Sequence, residues 1–503
     1  MPLHPTATRL FFTAWIVYCV HFSTNVVRES YLAMALGEKL SVRVDEYLGL
    51  HPDLFEIPGR GAYINNNPGA SILGAVPYAI AAPAINLLLR LVPSLAAPKP
   101  PAVYDDPRPN RTPFMNAARA RGLDVKLGLA ALVMQVGLMA PFAAAMAVLV
   151  FRFLRRRLGS ESRALWLALL YAFGTPIFFR TAFLNQNVII AHLVLIAYVC
   201  MAGWRPRSKG EPIPDRNAVA VGALMGFAVL TDYSGVPFLL VFGAWLLVDA
   251  WRAGGGARAA RAAAMYGLGG LGPLIILLSY QWAAFGNPIW PAQRYMPATP
   301  YSVRGWYGFT PPSVELLVGN LLDPRYGLFI FCPMLVAAFA APFLRLERAE
   351  GAPSRSELAW IFLAFLGLYL FSSANQFANL QWNTGVRYMV PAVPLLFLAT
   401  VPVLLRMPAW LRWTLIVPTL VVSWCVSMAR EDVPRSLLQV FMTGFELPTL
   451  TVLRKMASGY APFLAEGVSP LPLFCLVGVI LWLVWRGHVR EAAPARARSA
   501  SRA

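Results

Sequence analysis

The chain has 503 residues and a net charge of +19; 58% of its residues are hydrophobic and only 13% are charged. A soluble domain carries roughly a quarter charged residues, so a soluble globular protein is excluded, and no polar stretch reaches the ~100 residues of a separate soluble domain. The arginines fall mostly between apolar runs, as the positive-inside rule requires, and no basic stripe with interleaved aromatics points to a nucleic-acid partner.

A bilayer core of ~30 Å takes ~20 apolar residues per helix. The first apolar run, 10–27, ends without a small-residue cleavage site and reads as a retained span rather than a signal peptide. Further spans are expected at 127–151, 164–179, 188–204, 218–231, 234–251, 264–285, 327–344, 358–372, 390–405, 413–428 and 471–485. The predicted fold is therefore an all-α integral membrane bundle of about 12 transmembrane helices in one domain, 1–503. A thirteenth apolar run, 70–89, upsets the parity. If it crossed, the arginine-rich link RFLRRRLGSESR, the link beginning at Arg205, and Arg252, Arg258 and Arg261 would all lie outside. If it lies in or dips into the outer leaflet, these become cytoplasmic, together with Arg345, Arg348, Arg406, Arg412, both termini and the basic tail. The second arrangement is the expectation, and it makes 28–126 one long external loop containing a membrane-embedded or juxtamembrane helix.

Three external segments are unusual for connectors. The first loop, RESYLAMALGEKLSVRVDEYLGLHPDLFEIPGRGAYINNNPGAS, holds Glu29, Glu38, Asp45, Glu46, Asp53 and Glu56, six of the 24 acids in the chain. Carboxylates at a membrane surface serve as general bases or bind metals; equally, such residues solvate a loop. The segment 286–326 is rich in Trp, Tyr and Pro, a composition shared by interfacial aromatic belts and by platforms for sugar rings. The segment 373–389 contains Trp382, Asn383 and Arg387. An arginine there can take a lipid phosphate in two parallel hydrogen bonds or simply snorkel to the interface. Asp232, in TDYSG, reads as a residue of a tight turn, which weakens an ion-coupled path. The five cysteines form no CxxC pair and the five histidines show no ligand spacing, so no metal or other cofactor is predicted.

The ordered series RESYLAMAL, VDEY, GAYINNNPGASILGAVPY, YAFGTPIFFRTAFLNQN, MGFAVLTDYSGVP, YQWAAFGNPIW, PSVELLVGNLLDPRYGLFIFCP and WNTGVRYMVPAVP resembles the GT-C superfamily of polyprenyl-phosphate-sugar-dependent glycosyltransferases. The bacterial mannosyltransferase-like and aminoarabinose-transferase-like enzymes (glycosyltransferase family 39-like) belong to it. The resemblance implies an inverting hexosyl- or pentosyltransferase of the cell envelope. It would take a polyprenyl-phosphate-linked sugar and pass it to a lipid, glycan or protein acceptor at the external face. It also implies a base just after the first span, best matched by Glu29 with Asp45 as rival, and Asp53 as a supporting carboxylate. Arg387 matches the arginine of the family's RY pair and is assigned to the donor phosphate. Tyr63, Asn66, Asn67, Arg325, Trp382 and Tyr388 lie in the matching motifs as further substrate-binding positions. Two departures stand out. Asn66 and Asn67 replace a lysine common before the PG turn, and Asn187 stands where relatives often carry His. A multi-span transporter or lipid flippase is the alternative, against which the chain shows no internal repeat.

Overall fold

The computed structural model describes residues 4–23, 25–102, 111–204, 211, 213–344, 353–383, 385–430, 432–451 and 468–500. Arg205, Arg345 and Arg348, invoked above for the topology, lie outside the described residues. The protein is an all-α membrane protein: five of its helices are long and apolar enough to cross a bilayer.

Helix α1 (Pro5–Val20) leads into a first loop that begins with α2 (Arg28–Lys39) and continues through a hairpin of β1 (Leu54–Ile57) and β2 (Gly61–Ile64) to α3 (Gly69–Leu91). The hairpin pairs Leu54 with Ile64 and Phe55 with Tyr63. It is the one sheet among the described residues. Helices α2 and α3 run parallel, since the Ser71 hydroxyl donates to the Glu29 carbonyl at 2.9 Å and the Tyr78 hydroxyl to the Glu38 carboxylate at 2.6 Å. Lys126 of α5 reaches the same Glu38 at 2.9 Å. By length and composition α3 is one of the five potential spans, and Val76, Ile80, Leu87 and Leu91 on it are exposed.

After the short α4 (Arg111–Ala120) comes α5 (Asp124–Leu158), 35 residues with one π-helical turn at Gln135–Met139. At 1.5 Å per residue it is about 52 Å long, well beyond a ~30 Å core. It is followed by α6 (Glu161–Gly174), the single turn α7 (Ile177–Arg180), α8 (Gln186–Ala202) and α9 (Asp215–Thr231). Next is α10 (Val236–Phe285), which breaks at Gly254 and Gly255; Gly255 has φ +68°, a conformation natural only to glycine. Its halves fold back on each other, the Tyr266 hydroxyl donating to the Leu239 carbonyl at 2.7 Å. The predicted pair 234–251 and 264–285 is thus a helical hairpin.

The chain continues through α11 (Val314–Leu322), α12 (Leu328–Phe331), a 3₁₀ stretch at Pro333–Phe343, and α13 (Arg355–Ala374), then α14 (Val393–Arg406), α15 (Ala409–Ala429), α16 (Val433–Thr443) and α17 (Leu471–Ala500). Ser354 and Glu357 form a reciprocal capping box that starts α13. Glu357 also receives Arg157 of α5 at 2.9 Å, and Arg157 donates to the carbonyls of Ala202 and Gly203 at the end of α8. Three helix ends are therefore clamped around one buried ion pair. Because α8 begins on the far side from this clamp, the bundle has two distinct ends. One carries Arg155, Arg156 and Arg157; the other carries the loops that follow α1, α10 and α13.

Candidate active site

At the second end the chain closes on a charged centre. Glu29 is the second residue of α2, just after the first apolar run, and is 1% exposed. Its Oε1 accepts from Arg28 Nε at 2.9 Å and from Asn66 Nδ2 at 2.8 Å. Arg28 also donates through Nη1 to Asp53 Oδ2 at 2.7 Å, bridging the two acids. Asn65 holds the other side of Asp53, giving its side-chain amide to Oδ1 at 3.0 Å and its backbone N–H to the Asp53 carbonyl at 3.1 Å. The hairpin explains this meeting: Asp53 and Asn65 flank its two strands at the open end, so strand pairing sets their separation. Asn67 donates to the Val229 carbonyl at 2.7 Å and ties the NNN segment to α9.

Burial alone would raise the Glu29 carboxyl, but Arg28, Arg387 and the Asn66 amide outweigh it and hold the group below the ordinary glutamate value. Asp53 follows the same pattern: burial raises it, and Arg28, His51 and Arg387 bring it below the ordinary aspartate value. His51 is kept below its usual value by burial, with Asp53 opposing. Its Nδ1 accepts the Asp53 backbone N–H at 3.1 Å, which selects the neutral tautomer with hydrogen on Nε2.

Arg387, from the segment before α14, acts electrostatically on Glu29, Asp53 and His51. No described residue hydrogen-bonds its guanidinium. The backbone behind it is held by a side chain: Gln381 Oε1 accepts from the N–H groups of Arg387 at 3.1 Å and Tyr388 at 2.9 Å. Gln381 in turn donates to Asn320, and Asn320 to Ser373, all three buried. Arg180, 3% exposed, is repelled by both Arg387 and Arg430, and with Arg430 it completes a basic wall. Both guanidiniums lie over the Phe183 ring, at 5.2 and 5.0 Å. Asp232, N-capping the turn after α9 through Ser234 at 2.8 Å, enters the field of Arg28 and Tyr388.

The structure thus brings together Glu29, Asp53, Asn66, Arg387 and Tyr388, with Asn67 directly behind. It places other candidates elsewhere. Asp45 lies beyond the far end of α2, where Oδ1 accepts the Ala62 N–H at 2.6 Å and Oδ2 pairs with Arg43 at 2.7 Å; it fastens the start of β2. Arg325 is exposed and pairs with Asp323 at 2.7 Å. Tyr63 is buried, donating to the Arg60 carbonyl at 3.0 Å and packing against Phe285. Trp382 is on the surface, outside the charged centre. Among the described residues no three His, Cys, Asp or Glu side chains gather as a metal site.

Sequence reasoning did not find Arg28, His51, Asn65, Arg180, Asn320, Gln381 or Arg430 as parts of this centre. Only Arg28 carried a local signal, as the basic neighbour of the first acid after α1. Comparison of the chain with protein-family models, curated proteins and solved structures gave no match.

Proposed function

We propose that the protein is a membrane glycosyltransferase that moves a sugar from a polyprenyl-phosphate donor to an acceptor at the external face. The observation that carries the reading is the convergence of Glu29 and Asp53 with Arg387 across one charged centre at the end of the bundle. A carboxylate wall and a guanidinium wall are what a phosphate-leaving glycosyl transfer needs. The acceptor oxygen attacks the anomeric carbon, the bond from that carbon to the phosphate oxygen breaks, and its electron pair leaves with the phosphate. Arg387, with Arg180 and Arg430 behind it, offsets that charge. The acceptor proton passes to Glu29, whose Oε2 lies outside the contacts made by Arg28 and Asn66. A carboxylate of depressed basicity suffices because the acceptor hydroxyl turns acidic only as its oxygen bonds to carbon. Arg28 and Asn66 position Glu29, and the Gln381–Asn320 chain positions Arg387.

The same reading carries a topology of about twelve spans, both termini cytoplasmic, the charged centre outside. It is supported by the separation of the Arg155–Arg157 end from the end that holds Glu29. Helix α3 then lies along the outer leaflet beside α2 and the overhanging first half of α5.

Donor binding tests the phosphate assignment. Charge-assisted contacts to a buried anion are worth ~1.5–3 kcal/mol, so Arg387→Ala is expected to weaken binding of a polyprenyl-phosphate sugar by about 10- to 150-fold. Unchanged affinity in a folded variant removes Arg387 from the site.

A further inference from the structure

The loop between α10 and α11 has an architecture that the charged centre does not use. Trp306 is 58% exposed, and its backbone is pinned: its N–H donates to the Phe309 carbonyl at 2.8 Å and its carbonyl accepts the Phe309 N–H at 3.0 Å. Tyr307 follows with φ +50°, an uncommon conformation for an aromatic residue. The glycines on either side make this possible. A Cβ on Gly305 would fall 2.0 Å from the Phe309 carbonyl oxygen, and one on Gly308 2.6 Å from the Phe377 ring. Arg294 then fixes the rings, its guanidinium 4.8 Å from the centre of Trp290 and hydrogen-bonded to the Tyr307 hydroxyl. Trp306 stands 5.4 Å from Tyr307 and 6.5 Å from Trp290.

The loop also joins the two walls of the charged centre. Gln293, next to Arg294, donates at 3.1 Å to the carbonyl of Asn65, the same residue that grips Asp53. On the other side Arg304 donates to Gln376 at 3.2 Å, and the Gln376 N–H donates to the Gly308 carbonyl at 2.8 Å, just before the segment that carries Gln381 and Arg387.

We infer that Trp306, held by the Tyr307–Arg294–Trp290 cluster, is a stacking platform for a pyranose ring of a saccharide acceptor. The inference rests on the transferase reading for the word acceptor and on its own geometry for the word saccharide. The C–H face of a pyranose is apolar and weakly positive, and it complements the negative face of an indole. The ring's rim of hydroxyls needs polar neighbours, which the Arg294 guanidinium and the Tyr307 hydroxyl supply. A membrane anchor would leave Trp306 among lipids, and that is the opposing outcome.

The test uses the full-length protein in nanodiscs, with maltohexaose, mannohexaose and chitohexaose as probes and saturation-transfer NMR as the readout. At least one hexasaccharide is expected to receive saturation, the signal falling at least fivefold in Trp306→Ala, persisting in Trp306→Phe and unaffected by Arg387→Ala. Absence of binding by all three, or equal binding by Trp306→Ala, overturns the inference. So does quenching by brominated lipid that is lost in Trp306→Phe, because the ring would then sit in the bilayer. Binding of a polyprenyl-phosphate sugar is measured in the same nanodiscs. Saccharide binding without donor binding sinks the transferase reading and leaves the platform; donor binding without saccharide binding sinks the platform alone.

Discussion

Glu29 and Asp53 are both held below their ordinary values, and this fixes the sign of the protein's response to acid. A carboxylate with a depressed folded-state pKa contributes stability that is fully present above its unfolded value and is lost as pH falls through the folded value. In the proposed transfer, the same ionised form of Glu29 accepts the proton. Turnover is therefore expected to stay level from pH 8 down to about 5, with its acid limb below the ordinary glutamate value of about 4.3. His51, buried and neutral, adds no wave near 6.5. A pH–rate profile with an acid limb centred above about 5 contradicts the assignment of Glu29 as an Arg28-paired base. At this scale the sequence was readable where position along the chain constrains height. Glu29 follows the first apolar run at once, and Arg387 precedes another, so both were placed at a membrane surface. Asp45 was a rival only because the path of the loop is not written in residue types. From Glu29 to Lys39, α2 carries the chain about 15 Å away, and Asp45 then fastens the hairpin. The basic wall of Arg180 and Arg430 was hidden because those residues are 250 positions apart and meet only around Phe183.

The length of the apolar runs made the helical elements legible: each of the twelve runs overlaps a helical segment, while five helices among the described residues are long and apolar enough to cross a bilayer. The hairpin was missed although LFEI and GAYI flank a turn-forming PGR, because a four-residue strand gives too short a pattern to stand out in a loop read by its charges. That omission matters, since the hairpin is what brings Asp53 to Asn65. The buried Arg157–Glu357 pair was likewise out of reach, its partners lying 200 residues apart. It clamps α5, α8 and α13 at the end opposite the charged centre. Removing one member of a buried ion pair leaves the other unpaired and typically costs 3–5 kcal/mol. Glu357→Gln also weakens the capping box, so thermal unfolding is expected to drop more in Glu357→Gln than in Glu161→Gln, whose carboxylate is 40% exposed. Equal stability of the two variants removes the clamp from the account.

For the whole molecule, the decisive feature is polarity from end to end. The arginine-rich end and the charged centre sit at opposite ends of α8, and the proposed topology, based on the positive-inside rule, puts the centre outside. Cysteines introduced at Ser160 and Ala102 test the orientation with a membrane-impermeant thiol reagent on intact cells. Ala102 is expected to label and Ser160 to resist; labelling of Ser160 but not Ala102 makes α3 a full span and reverses the axis. Such an axis would let a lipid-linked donor enter sideways from the bilayer while the acceptor approaches from outside.

Transfer itself is the direct test. The purified protein is incubated with a panel of radiolabelled polyprenyl-phosphate sugars and a cell-envelope acceptor fraction, and release of polyprenyl phosphate is followed. One donor is expected to be consumed, with Glu29→Gln reducing turnover by about 10²–10⁴-fold while still binding that donor. Wild-type turnover in Glu29→Gln, or no consumption of any donor by the intact protein, contradicts the account.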